Sequence, residues 1–193
     1  MYMRRICFIG FLVCLLSFGT VMAAEEPPQD YRNAVPHIKL PVPADAQTRE
    51  YLGLQQAKGQ FSLAQMRADL VIIEIFNMYC PYCQKHAPMT NKLFQLIQGK
   101  DNLKGRVKFI GIGIGNSPYE VSIFKKRFKI LFPLFDDSHS AVLNSLPGIR
   151  TPHYFAVKKS GSSQVEMVFS YQGSFDDEKA FLDSVLQKSG MNF

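Results

Sequence analysis

Cysteine is scarce in this chain of 193 residues: there are four, and Cys7 and Cys14 fall in an apolar stretch at the N-terminus. Beyond that stretch only Cys80 and Cys83 remain. A framework of cysteines stapling the fold at long spacing is therefore excluded. No second ligand pair accompanies Cys80, Cys83 and His86, so the pattern for structural zinc is missing. Gln84 rather than histidine follows Cys83, so there is no haem attachment motif. Tryptophan is absent altogether. There is no Arg-rich block and no basic–aromatic stripe. Lys125-Lys126-Arg127 and Lys158-Lys159 read as solvated helix and turn faces, so no nucleic-acid role is assigned. Gly111, Gly113 and Gly115 mimic half of a dinucleotide fingerprint, but the helix-side glycine and the distant acid are missing. No segment repeats internally.

What is present suits a folded chain of one domain, two at most. The hydrophobic fraction is 47% with 16 Phe, and charged residues make up 20%, which argues against wholesale disorder. The formal charge is +6, or +4 without Arg4 and Arg5. Those two arginines precede Ile6 to Phe18, an apolar run with no charge, and Val21-Met22-Ala23 offers small residues at a cleavage position. Residues 1–24 are expected to be a secretory signal peptide, cleaved after Ala23 or Ala24. The alternative is an uncleaved anchor, since Ile6 to Ala24 matches the roughly 20 residues needed to cross a bilayer. Val13 before Cys14 argues against a lipoprotein signal. The expected location is periplasmic or otherwise extracytoplasmic, secreted or tethered to the inner membrane.

Residues 25–47 hold five prolines and are expected to form an extended lead-in to a domain over 48–193. Arg49–Leu54 and Gly59–Ser62 are expected to form a hairpin. Ser62 stands where it could cap a one-turn helix over 63–67. Leu70–Phe76 is an apolar run broken only by Glu74, and reads as a strand buried on both faces. A helix is expected over 81–98, with Pro81 suited to its first position and Pro88 inside it. Val107–Gly115 reads as a second buried strand, and Ser117-Pro118-Tyr119-Glu120 as a capping-box start of a helix to about Phe128. Then follow a short strand at 132–135, a short helix at 138–146, strands at 153–158 and 164–171, and a last helix capped by Ser174. The Phe residues at 124, 128, 132 and 135 are at core spacing. Alternating β and α elements imply a parallel core, with the last hairpin adding antiparallel strands.

Cys80-Pro81-Tyr82-Cys83 directly follows the first buried strand. The first sulfur stands where helix N–H groups and the helix dipole favour a thiolate, the species that attacks disulfides. A loop this short constrains an unfolded chain little, so the pair points to redox chemistry rather than a structural bridge. Cys80 is the expected attacking sulfur and Cys83, a helical turn inward, the resolving one. Glu74 is a charged residue in an apolar strand, and burial should raise its pKa, as suits a proton acceptor; the alternative is that it points to a polar edge and only solvates the strand.

These residues resemble the thioredoxin fold. The resemblance rests on the buried strand, an acid six residues before the first cysteine, Cys-x-x-Cys, Pro88 five residues after Cys83, and Thr151-Pro152 before the strand His153–Val157. It implies an α/β protein with a central mixed sheet flanked by helices. The hairpin before Leu63 and the extra β-α stretch between Ile110 and Ile149 look like the TlpA/ResA/CcmG branch of exported thioredoxin-like proteins. The resemblance covers about residues 48 to 189. It implies that Glu74 serves the resolving cysteine, and that Pro152 is a cis-proline presenting Thr151 to the substrate chain. Tyr79, Pro81 and Tyr82 would line the substrate site. Tyr79 stands where the branch often has Trp, and Asn77 and Met78 also depart from it. The implied function is an exported thiol–disulfide oxidoreductase, monomeric and without cofactor or metal, that reduces protein disulfides. Its substrates could include apocytochromes in cytochrome c maturation, with electrons from a membrane-linked donor. A disulfide-donating oxidase or isomerase is the nearest alternative. A Cu(I) chaperone using Cys80, Cys83 and a third ligand such as His86 or His153 is another. His86 is expected at the surface beside the site. His153 is expected either near the sulfurs or as a hydrogen-bonded strand residue.

Overall fold

The structure is a computed structural model that describes residues 30–161 and 163–191. The signal peptide or anchor expected over 1–24, with Cys7 and Cys14, lies outside the described residues.

The elements, in order, are β1 (Lys39–Pro41), α1 (Ala46–Leu52), β2 (Gln60–Ser62), β3 (Leu70–Phe76), α2 (Pro81–Gln98), β4 (Val107–Ile114), α3 (Pro118–Phe128), β5 (Leu134–Asp137), α4 (Ala141–Ser145), β6 (His153–Lys159), β7 (Val165–Gln172) and α5 (Glu178–Ser189). The central sheet has the order β5-β4-β3-β6-β7. β3, β4 and β5 run parallel, and β6 and β7 close the sheet antiparallel. β3 is the middle strand and is buried along its whole length, which explains its unbroken apolar run. Its alternate residues serve two cores. Leu70, Ile72 and Phe76 pack with Leu93 and Ile97 of α2, Phe124 of α3 and Leu182 and Val185 of α5. Val71, Ile73 and Ile75 pack with Leu40, Leu52, Phe61, Val142 and Leu146 on the other face. The sheet is thus mixed and covered on both sides, as the sequence implies.

Several expectations change in detail. Residues 30–47 do not form a detached lead-in, because Tyr31, Val35, Ile38 and Leu40 are buried in the second core. Their prolines sit where no donor is needed: Pro36 in a one-turn 3-10 helix (Val35–His37) and Pro41 at the end of a short strand. The N-terminal strand pair is present, but β2 pairs with β1, Leu40 opposite Phe61. Arg49–Leu52 is helical instead. Asp45 accepts the Thr48 N–H at 2.7 Å, and Gly53 ends the turn at φ 70°, a left-handed conformation suited to glycine. The last helix is capped by Asp177, not Ser174. The Asp177 carboxylate accepts the N–H groups of Lys179 and Ala180. The strand expected at 132–135 is displaced to Leu134–Asp137, and the helix after it shrinks to Ala141–Ser145, since Asp137 turns its carboxylate to the N–H groups of Val142 and Leu143. The glycines of β4 serve packing: a Cβ on Gly113 would lie 3.0 Å from both Phe76 Cζ and Val121 Cγ2.

Candidate active site

The sheet delivers two segments to one point. β3 ends at Phe76, and five residues later α2 begins, with Cys80 as its N-cap and Pro81 at its first turn. The connecting loop is held from three sides. Asn77 accepts the Tyr79 N–H at 2.9 Å through Oδ1 and donates to the Ile114 carbonyl at 2.9 Å. Asn116 Oδ1 accepts the Met78 N–H at 2.8 Å, and Gln84 donates to the Met78 carbonyl at 2.8 Å. Asn116 is fully buried. It was not singled out from the sequence, where it looks like any polar residue after an apolar strand.

The two sulfurs are free thiols in different surroundings. Cys80 is partly exposed. Its Sγ donates to the Thr151 carbonyl at 3.3 Å and receives the Cys83 N–H at 3.5 Å. Burial works against ionisation of this thiol. Hydrogen bonding to the sulfur from the Thr151 side chain, from Cys83 and from the Tyr82 N–H outweighs it and holds Cys80 below the ordinary thiol range. No cationic side chain among the described residues contributes to this lowering. Cys83 is 0% exposed, and burial together with its hydrogen bond to Cys80 pushes its thiol far up. One sulfur is therefore set to ionise and the other to stay protonated.

The opposing wall is the Thr151-Pro152 peptide, which is cis and presents the Thr151 carbonyl to Cys80. The Pro152 carbonyl accepts the Gly173 N–H at 2.9 Å, which ties this wall to β7. Around the sulfur stand two exposed rings, Tyr79 at 65% and Tyr82 at 71%. The Tyr79 hydroxyl donates to Glu120 at the start of α3.

Glu74 lies on the α2 face of β3, 2% exposed. Burial raises its pKa to about 8, and a hydrogen bond from the Tyr154 hydroxyl at 3.3 Å partly counters this. Tyr154 stands directly opposite Glu74 across the β3–β6 ladder and shares a core with Cys83. Sequence reading missed Tyr154, because only the strand register brings it to Glu74. His86 is not a surface residue: it is 6% exposed, with its ring edge-on to Phe175 at 4.4 Å and to Tyr154 at 6.1 Å. Burial lowers its pKa to about 4. His153 is the hydrogen-bonded strand residue, its Nε2 2.8 Å from Ser170 Oγ, on the face that packs against Tyr31. Among the described residues no three His, Cys, Asp or Glu side chains converge to hold a metal ion.

A nucleophilic dithiol at the tip of the middle strand, facing a cis-proline wall on this sheet, defines a thioredoxin-fold thiol–disulfide oxidoreductase. Residues 32–165 match the AhpC/TSA family, and the chain belongs to it. It is 25% identical over 123 residues to the thiol-disulfide oxidoreductase ResA of Geobacillus thermodenitrificans, covering 64% of this chain and 67% of that one. It is 24% identical over 133 residues to ResA of Geobacillus kaustophilus, covering 68% and 72%. Among solved structures, StoA from Bacillus subtilis superposes with a TM-score of 0.52 at 18% identity, over 66% of this chain and 90% of that one. That likeness concerns the fold.

Proposed function

We propose that this protein is an exported reductant of protein disulfides, acting through Cys80 and Cys83 with Glu74 as proton acceptor. The observation that carries the reading is a partly exposed Cys80 at the N-terminus of α2, facing the cis Thr151-Pro152 wall, paired with a fully buried Cys83; the reducing direction follows the resemblance to the TlpA/ResA/CcmG branch. A strongly stabilised thiolate makes the reduced form stable and the protein an oxidant, whereas a mildly stabilised one leaves it a reductant.

The Cys80 thiolate attacks one sulfur of a substrate disulfide. That S–S bond breaks, and the departing substrate sulfur takes a proton from water. A mixed disulfide to Cys80 remains. Cys83 then gives its proton to Glu74, and its thiolate attacks Cys80 Sγ. The Cys80–Cys83 bond forms and the second substrate sulfur leaves, to be protonated in turn. The substrate gains two electrons, and the protein must be re-reduced by an outside thiol donor. The substrate chain would lie along Thr151 and Pro152, flanked by Tyr79, Pro81 and Tyr82, in the manner of an added strand. Export would place this exchange outside the cytoplasm, with a membrane-linked donor and apocytochromes as one substrate class. No helix among the described residues is long and apolar enough to cross a membrane.

Trapping tests the assignment. Cys83→Ser should accumulate mixed disulfides with substrate proteins through Cys80, and the double variant with Cys80→Ser should accumulate none. Absence of any mixed disulfide in Cys83→Ser would overturn the roles given to the two sulfurs.

A further inference from the structure

Tyr154 takes no part in the electron flow described above, yet it occupies the centre of the buried polar cluster. Of the two strand neighbours of Glu74, Gly111 on β4 has no side chain and Tyr154 on β6 offers a hydroxyl. That hydroxyl makes the one hydrogen bond to the Glu74 carboxylate found among the described residues. The Tyr154 ring is itself fully buried. It is wedged edge-on by His86, Phe175 and Phe181 at centroid distances of 6.1, 5.3 and 5.2 Å, so the hydroxyl is held in place. Burying a tyrosine O–H requires a partner. Here the partner is the buried acid.

We propose that Tyr154 is a positioning residue for the resolving step: its O–H holds the Glu74 carboxylate in one orientation and favours the ionised form that takes the Cys83 proton. The inference rests on the reading of Glu74 as proton acceptor. The physical reason is an asymmetry. A donor to a carboxylate in an apolar core stabilises the charged state and does little for the neutral one. The other groups facing this cluster are Cys83 and His86 from α2, Tyr171 from β7 and Asp176 from the segment before α5. Phe181 faces it from α5. Burial keeps His86 neutral above about pH 4 and Cys83 protonated well beyond the ordinary thiol range, so neither mimics a Glu74 titration near neutral pH.

The test is a carboxyl-carbon NMR titration of Glu74 in the reduced full chain, with its resonance assigned by Glu74→Gln. It is paired with stopped-flow measurement of the resolving step across the same pH range. In Tyr154→Phe the Glu74 midpoint should rise by about one pH unit or more, the size of a lost hydrogen bond to a charged group. The rise of the resolving rate with pH should move upward in parallel. Replacing Tyr154 by 3-fluorotyrosine, whose O–H is a stronger donor, should move both downward. This one-atom change decides the matter if Tyr154→Phe does not fold. An unmoved Glu74 midpoint in the variants that fold would overturn the role of Tyr154 and leave the role of Glu74 standing. A moved midpoint with an unmoved rate profile would overturn the role of Glu74 itself, and with it the inference.

Discussion

Replacing Glu74 by glutamine should make the protein more stable, relative to wild type, as pH rises. Below pH 4.5 the acid is protonated in both the folded and unfolded chain, and the substitution has no pH-dependent effect. Between 4.5 and about 8 the unfolded chain releases the Glu74 proton while the folded chain keeps it. The folded state then binds more protons, so wild-type stability falls with pH across that window. Above pH 8 the loss is complete. A group that titrates about 3.5 pH units later in the folded chain, at 1.36 kcal/mol per unit, loses about 5 kcal/mol. That is a large share of the roughly 5–15 kcal/mol that stabilises a domain. The amide of the Glu74→Gln variant cannot ionise and escapes this loss. His86 and His153, both lowered to about 4 by burial, act in the opposite sense: stability falls as pH drops from 6.5 towards 4. Both proteins share that effect, so it cancels in their difference. The assay is urea unfolding of the reduced proteins, followed by circular dichroism because the chain has no tryptophan, at intervals from pH 4.5 to 9. The advantage of Glu74→Gln over wild type should grow by about 5 kcal/mol up to pH 8 and then level off. A difference that stays flat with pH would mean that Glu74 is ionised in the folded protein and would refute the burial argument.

The rate of the resolving step should rise with pH to a midpoint near 8, where Glu74 ionises, and Glu74→Gln should lower it and remove that rise. An identical pH profile in both proteins would contradict the proton-acceptor role. Iodoacetamide should label Cys80 with an apparent pKa below the ordinary thiol value and leave Cys83 unmodified in the folded protein, given its complete burial. Equal labelling of both, read by mass spectrometry, would contradict the asymmetry. Asn116→Ala should lower stability by about 1 kcal/mol, because the half-buried Met78 N–H loses its acceptor. An unchanged thermal midpoint would show that Asn116 does not pin the loop.

The parts of this protein legible in its sequence are those governed by local rules. β3 announced itself by apolar composition, α2 by Pro81 at its first position, and α3 by the Ser117–Glu120 capping box, which forms as expected. Cys80 and Cys83 stand together in sequence and need no topology to be paired. What stayed hidden depends on partners distant in the chain. β1 is a strand because Phe61 lies opposite Leu40, and proline content masked that pairing. His86 reads as a polar helix residue until Phe175 and Tyr154 close over it. Tyr154 lies 80 residues from Glu74, and only the antiparallel register of β3 and β6 makes them neighbours. The Asp177 cap shows a smaller limit. Ser174, Asp176 and Asp177 all carry side chains competent to cap, and Asp177 is the one whose carboxylate accepts the N–H groups of Lys179 and Ala180.

The most direct test of the proposed reducing role is the reduction potential of the Cys80–Cys83 pair, equilibrated against a glutathione or dithiothreitol series. A reductant of protein disulfides should give a value near that of thioredoxin, about −270 mV, or lower. A value near that of DsbA, about −120 mV, would mean that the protein donates disulfides and that electrons flow in the opposite direction.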